Sequence, residues 1–324
     1  MERQLRLFPE GAEGDEREPA RQEQPAVAQP APSRLTPSSS LAEALDEFDT
    51  AMMLKGFTDN TVAAFRADLR ILAGFLSPSR PIGDISTRDL NNFLTYLLRG
   101  RGRPCNPKSY ARRITTLKVF FGWLAESGAR PGDPAAPLIH QPVSTPLPRV
   151  LSDTEIEQLR AAARQMMAGD KPDPRPALLL ELLLSTGMKK SECMGIHLAH
   201  LDLTNPQTPL VHIRYQEARQ HHKERTLRLP AGIVPLIRAY RQVYQPVEHL
   251  FDCTARNLEY VLRDLALAAG LSCGVSFEAL RWTAALRDYQ AGMDEQALRR
   301  KLGLSQLRWK ETVEKLERLA APPA

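Results

Sequence analysis

The side chains able to act on an anionic ligand fall in three stretches of this 324-residue chain. Arg281 lies in Ser276–Gly303 (SFEALRWTAALRDYQAGMDEQALRRKLG), Lys189 and Glu192 in Thr186–Glu192 (TGMKKSE), and Arg219, Lys223 and Arg225 in a polar loop, ARQHHKER. A guanidinium fork matches the spacing of two phosphate oxygens, whereas lysine brings the same charge as a point without the two-pronged grip. Two roles are therefore open to Arg281: contact with a phosphate, or bonding to helix termini. Glu192 has an expected local role, holding its helix and pairing with Lys189 or Lys190. Nucleophiles and proton carriers are scarce, since no tyrosine follows Tyr289 and no histidine follows His249. Glu278 and Trp282 stand close to Arg281 in sequence. A carboxylate there opposes phosphate binding, and an indole donates a hydrogen bond but is no acid near neutral pH. Thr312 offers a hydroxyl with no evident base to activate it.

No metal or other cofactor is expected. His221 and His222 are adjacent but lack a third ligand, and such a pair reads as a polar loop. The cysteines at 105, 193, 253 and 273 are scattered, which argues against a zinc site or a disulfide framework and fits the reducing cytoplasm. No apolar run reaches the ~18 residues of a membrane helix, and the N-terminus has no apolar signal core, so no membrane association is expected. The net charge is +5. The segment before Ser33 is acidic, so the foldable remainder is more basic than the total and suits a nucleic-acid partner.

The elements that must position these groups are mostly helices. Residues 9–38 are rich in Pro, Glu, Gln, Ala and Ser, and are expected to be disordered. A capping box at Ser40–Glu43 opens the first helix, with Leu41, Ala44, Leu45, Phe48 and Met52 at helical spacing. Further helices are predicted over Thr61–Leu76, Thr87–Leu98 and Lys108–Leu124, giving a four-helix domain at 39–128. Lys108, Arg112, Arg113 and Lys118 are read as a basic stripe on the outer side of the fourth helix. Residues 129–148 carry six prolines and read as a linker. A second capping box, Ser152–Glu155, opens a domain at 149–320. It contains an apolar helix over Pro176–Ser185, a β-hairpin around Leu210–Arg214 and Arg225–Leu229, and helices near Ile233–Tyr244, Asn257–Ala269, Glu278–Ala291, Glu295–Leu302 and Gln306–Leu319. The fold class is mainly α with a small β-hairpin.

The order and spacing of these motifs resemble the tyrosine recombinases, the phage-integrase and Xer family. In the last stretch, Leu280, Arg281, Thr283, Ala285, Gly292, Leu302 and Gly303 match the pattern H-x-L-R-H-[TS]-x-A…G…L-G-H. TGMKKSE resembles T-G-x-R-x-S-E. TDNTVAAFRADLRILAGFL (Thr58–Leu76) and YARRITTLKVFFGWLAESG (Tyr110–Gly128) look like helices of the family's SAM-like core-binding domain. The resemblance implies a helical core-binding domain followed by a catalytic-type domain, and double-stranded DNA as partner. In the family a tyrosine attacks DNA phosphate, two arginines clamp the phosphate, and a hairpin lysine and histidines move protons. Carried over residue by residue, Arg281 is retained and Lys189 replaces the first arginine. Gln220 stands near the hairpin-lysine position, with Arg219 or Lys223 reachable by a one-loop shift. Glu278, Trp282 and Leu304 replace histidines, and Thr312 or Val313 stands at the nucleophile. DNA contacts are expected from Lys108, Arg112, Arg113, Lys118, Lys189, Arg219, Lys223, Arg225 and Arg281.

The resemblance thus predicts a recombinase fold that binds DNA without cutting it, acting as an accessory or regulatory partner of an active recombinase subunit. Two alternatives stand beside it. One is an active site-specific recombinase with displaced catalytic residues. The other is a protein-interaction module. Gln4, Leu5, Leu7 and Phe8 resemble the Q-L-x-L-F peptide by which bacterial proteins dock on the DNA sliding clamp, which gives that module a candidate partner.

Overall fold

A computed structural model describes residues 34–102, 105–139, 146–169, 171–272 and 274–321. The chain divides into two compact units, Met1–Thr145 and Pro146–Ala324.

The first unit is built from α1 (Leu41–Leu54), α2 (Asp59–Leu76), α3 (Thr87–Arg99) and α4 (Pro107–Glu126). Local sequence starts each of them. Ser40 and Glu43 close the predicted capping box of α1, Thr58 caps α2, Ser86 and Asp89 box α3, and Asn106 with Pro107 opens α4. The helices bury Phe48, Phe93, Phe120 and Phe121 almost completely, together with the leucine stripes of α2 and α3. This apolar core extends beyond the helices at both ends. Leu35, inside the stretch expected to be disordered, is buried in it, and Pro37 accepts the amide of Gly83 at 2.8 Å. Ala129, Ala135 and Leu138, inside the expected linker, are buried too. Arg130 accounts for that ordering: it donates to the carbonyls of Ile82 (3.0 Å) and Ile85 (3.1 Å) and lies over the Phe121 ring. Proline density forbids a helix there but does not prevent packing.

The second unit wraps α6 (Arg175–Thr186), which is apolar on almost every face and is accordingly buried all round. Packed against it are α5 (Asp153–Ala168), opened by the Ser152–Glu155 box, α8 (Ile233–Tyr244), α9 (Ala255–Ala268) and α10 (Phe277–Gln290). The short α7 (Lys190–Met194) follows α6. A three-stranded antiparallel sheet runs β1 (Leu201–Asp202), β2 (Leu210–Ile213), β3 (Arg225–Arg228), with Val211 opposite Leu227 and Ile213 opposite Arg225. The hairpin is where the alternation predicts it. The two-residue β1 is too short to show a period. The polar loop between β2 and β3 is wound into a 3-10 turn, Ala218–Lys223. The unit ends with α11 (Glu295–Lys301) and α12 (Gln306–Ala320). Among the described residues no helix is long and apolar enough to cross a membrane.

Candidate functional site

The turn after α6 brings the first part of the site into place. Gly187 caps α6 in the left-handed region (φ 59°), and a Cβ there would lie 3.0 Å from the Leu302 side chain, so both conformation and space call for glycine. Two residues later Lys189 caps α7. Its amide donates to Glu192 Oε2 at 2.8 Å, and its ammonium lies 3.7 Å from Glu192 Oε1 and 3.5 Å from the Gly303 carbonyl. Burial draws the Lys189 ammonium below the usual lysine range. Glu192 opposes the change, and the charges of Arg281, Arg225 and Lys223 add to it. Lys190 pairs with Glu259 at 2.7 Å.

Glu192 is the charged centre beneath this turn. Its side chain is fully buried and is met by Arg225 at 2.9 and 3.2 Å and by the Tyr215 hydroxyl. Burial pushes its carboxyl up, but the bonds and charge of Arg225, the Tyr215 hydroxyl and the Lys189 amide outweigh it and hold the carboxyl at about 2. Burial and the same carboxylate raise Tyr215 to about 12. Arg225 also donates to the Lys301 and Lys223 carbonyls, and its side chain is only 9% exposed. Arg225, expected from the sequence to contact DNA, has its fork occupied here by a carboxylate 33 residues away in sequence.

Arg281 lies on α10, one turn in from the helix start that Ser276 caps. Its guanidinium donates to the Gly187 carbonyl and, at 2.7 Å, to the Leu302 carbonyl, the C-terminal caps of α6 and α11. Of the two roles open to it, bonding to helix ends is the one its geometry adopts. Arg281, Lys189, Glu278 and Trp282 nevertheless line one cleft of about 640 Å³, with Lys190, Glu259 and Val275–Phe277. Glu278 is exposed in the first turn of α10, where the positive end of the helix dipole favours an anion.

Trp282, Leu304 and Val313 share another surface. All three pack on a small apolar cluster of Ala285, Leu286, Leu298, Leu302, Trp309 and Leu316, which joins α10, α11 and α12. Tyr289 packs on the same cluster. Thr312 is turned to its own helix and donates to the Arg308 carbonyl at 2.8 Å. In the hairpin, Arg219 and Gln220 both bond Glu217 at 2.7 Å, and Arg219 is exposed. Of the hairpin groups with no carboxylate partner, Lys223 is the one whose charge is felt at Lys189.

The four basic residues of α4 do not form one free stripe, because two of them are engaged by a buried carboxylate. Arg112 (2.5 Å) and Arg113 (3.1 Å) both bind Asp68, a buried carboxylate of α2, and Thr116 adds a third bond at 3.2 Å. Arg113 also donates to the Cys105 sulfur at 2.6 Å and is only 11% exposed. Lys118 reaches the Ala136 carbonyl at 3.4 Å. Lys108 is the one of the four that is exposed. One signal in the sequence pointed to this: Asp68 falls on the apolar face of α2, three residues after Phe65 and four before Leu72, where a charge demands a partner. Gln4, Leu5, Leu7 and Phe8 lie outside the described residues.

A helical bundle unit followed by a helical unit with a three-stranded sheet and an Arg–Lys cleft is the architecture of tyrosine recombinases. The profile of the phage integrase family matches residues 149–310, and that of the phage integrase N-terminal SAM-like domain matches residues 45–128. The chain belongs to the phage integrase family. It is 33% identical over 167 residues to the tyrosine recombinase XerC of Corynebacterium efficiens, a match spanning 51% of each chain. Against the XerC of a Roseiflexus species it is 28% identical over 261 residues, 75% of this chain and 79% of that one. Among solved structures, a lambda integrase dimer bound to a COC′ core site superposes with a TM-score of 0.68 at 15% identity, covering 89% of this chain and 80% of that one. XerH bound to palindromic difH substrate in a post-cleavage complex gives 0.68 at 16% identity, covering 89% and 96%. The Tn1549 transposon integrase with a circular-intermediate DNA gives 0.66 at 17% identity, covering 87% and 100%.

Proposed function

We propose that this chain binds double-stranded DNA within a recombination system but does not cleave it, and that it works beside an active recombinase subunit. The observation that carries this reading is the state of the cleft. Its cations are all engaged: Lys189 by Glu192, Lys190 by Glu259 and Arg281 by helix-end carbonyls, and Glu278 faces the same space. At the positions where the family pattern has an arginine-flanking histidine, the LGH histidine and the nucleophile, Trp282, Leu304 and Val313 form apolar packing. A phosphotransfer site needs preorganised donors, a nucleophile and a proton carrier. Apolar side chains in close contact supply none of these. DNA as partner is supported by the DNA-bound recombinases that share the fold.

The reading with displaced catalytic residues requires a nucleophile, and the hydroxyls near the C-terminus do not favour it. Thr312 bonds its own helix and Tyr289 is packed. The test is incubation with nicked suicide duplexes followed by denaturing electrophoresis. We expect DNA retention under native conditions and no denaturation-resistant adduct, and an adduct mapped to any residue overturns the proposal. The sliding clamp is proposed as a further partner of Gln4–Phe8. A peptide of residues 1–12 should bind a clamp, and the Leu7→Ala, Phe8→Ala double change should abolish that binding.

A further inference from the structure

Three of the seven histidines of the chain, His197, His200 and His249, meet outside the cleft. His197 and His249, more than fifty positions apart, face each other in an isolated antiparallel bridge. The Leu198 amide donates to Glu248 at 2.9 Å and the Leu250 amide to Ile196 at 2.7 Å, which fixes the two backbones on either side of the pair. Alternation then does the rest. Ile196 and Leu250 point inward and are buried, so His197 and His249 point outward side by side, with ring centroids 4.2 Å apart. His200 lies on the other side of His197 at 4.8 Å. Its Nδ1 accepts the His197 amide at 3.2 Å, which leaves Nε2 for another partner. Glu248 adds a carboxylate, with Oε1 3.4 Å from His197 Nδ1.

We infer that this cluster is a binding site for a divalent transition-metal cation of the zinc class, held by His197, His249 and Glu248. The donor set is two imidazoles and one carboxylate, the chemistry such ions favour. The spacing fits as well. Two ligands on one tetrahedral zinc, each ~2.0–2.1 Å from the ion, lie about 3.3 Å apart, close to the separation of His197 Nδ1 and Glu248 Oε1. One ligand atom from each of the three residues lies within 4.8 Å of the others, so closing on an ion takes side-chain rotation alone. Glu248 is free to make it, with 70% of its side chain exposed. Water completes the shell. The expectation of no metal considered His221 and His222, and both lie outside this cluster. His197 follows α7 by three residues. A bound ion would therefore fasten the segment leaving the Lys189–Glu192 helix to the segment leading into α9.

The experiment uses the untagged full-length chain titrated with cobalt(II) and zinc(II). We expect one equivalent of cobalt to give a visible d–d band without thiolate charge transfer, and zinc to displace it. The His197→Ala, His249→Ala double variant should lose the band. Glu248→Gln, at an exposed side chain that folding does not need, should weaken binding about tenfold. A His221→Ala, His222→Ala variant should bind as the parent does. No band at stoichiometric cobalt overturns the inference. So does a band dominated by thiolate charge transfer, and so does binding unchanged in both Glu248→Gln and a His197→Ala variant whose circular dichroism matches the parent.

Discussion

Among the described residues each unit buries one carboxylate, and the two are used differently. Asp68 in the first unit is clasped by Arg112, Arg113 and Thr116, all from one face of α4, so its network is a rivet between two helices. Glu192 in the second unit draws on three separate elements. Arg225 comes from β3, Tyr215 from the loop just after β2, and the Lys189 amide from its own helix start. Both consume arginines that a charge count offers to DNA. Glu192 also sets the position of a lysine that lines the cleft. A basic residue is available to a ligand only after the carboxylates buried around it have taken their share.

The largest effect expected from this contrast is on stability. Glu192→Gln leaves Arg225 buried against a neutral partner and should destabilise the second unit by about 3 kcal/mol or more. Asp68→Asn should cost the first unit less, about 1–3 kcal/mol, because 39% of the Arg112 side chain can turn to water. Urea unfolding followed by a probe in each unit separates the two. Equal costs would break the comparison. The Glu192 contribution also has a defined acid range. Its folded carboxyl is held at about 2, below the ordinary 4.5. The stabilisation is therefore fully present above about pH 4.5 and is lost as pH falls toward 2. At ~1.4 kcal/mol per unit this amounts to roughly 3 kcal/mol. The Glu192→Gln protein should lack this part of the acid dependence.

A smaller effect concerns DNA. Lys108→Ala should lower the slope of log affinity against log salt by about one, the loss of one phosphate contact. Arg113→Ala should leave that slope alone and lower the stability of the first unit instead, because its guanidinium is bound to Asp68 and Cys105. A reduced slope in Arg113→Ala with unchanged stability would return that residue to the DNA surface. The smallest effect should come from Glu278→Gln. Removing one exposed carboxylate from the cleft should tighten DNA binding a few-fold at low salt, and the gain should disappear as salt screens it. Unchanged affinity at low salt would mean that DNA does not approach this cleft.

Local patterns carried most of the fold. Ser40–Glu43 and Ser152–Glu155 announce helix starts because a capping box lies within four residues. The apolar stripe of α2 and the run Leu178–Leu184 announce how deeply those helices are buried. The motif around Arg281 was legible for the same reason, and with it the cleft shared by Lys189, Glu278, Arg281 and Trp282. What the sequence hid are pairings across long separations: Glu192 with Arg225, Asp68 with two arginines, His197 with His249. None has a period, and each exists only because packing of other residues brings the chain segments together. Leu35 and Ala129–Leu138 were hidden differently. Composition suggested loose chain, yet a few apolar side chains and one arginine bonded to two carbonyls hold these segments to the core.

Arg281 joins the ends of two helices, and this makes occupancy of the cleft a competition. The C-terminal end of each helix carries partial negative charge, and the guanidinium neutralises both at Gly187 and Leu302. A phosphate drawn to Arg281 has to outbid those carbonyls. As it succeeds, the seams that hold α6 and α11 to α10 lose their shared cation. Ligand affinity and local rigidity are thermodynamically linked through that one side chain, so whatever strengthens the seams weakens anion binding by the same free energy.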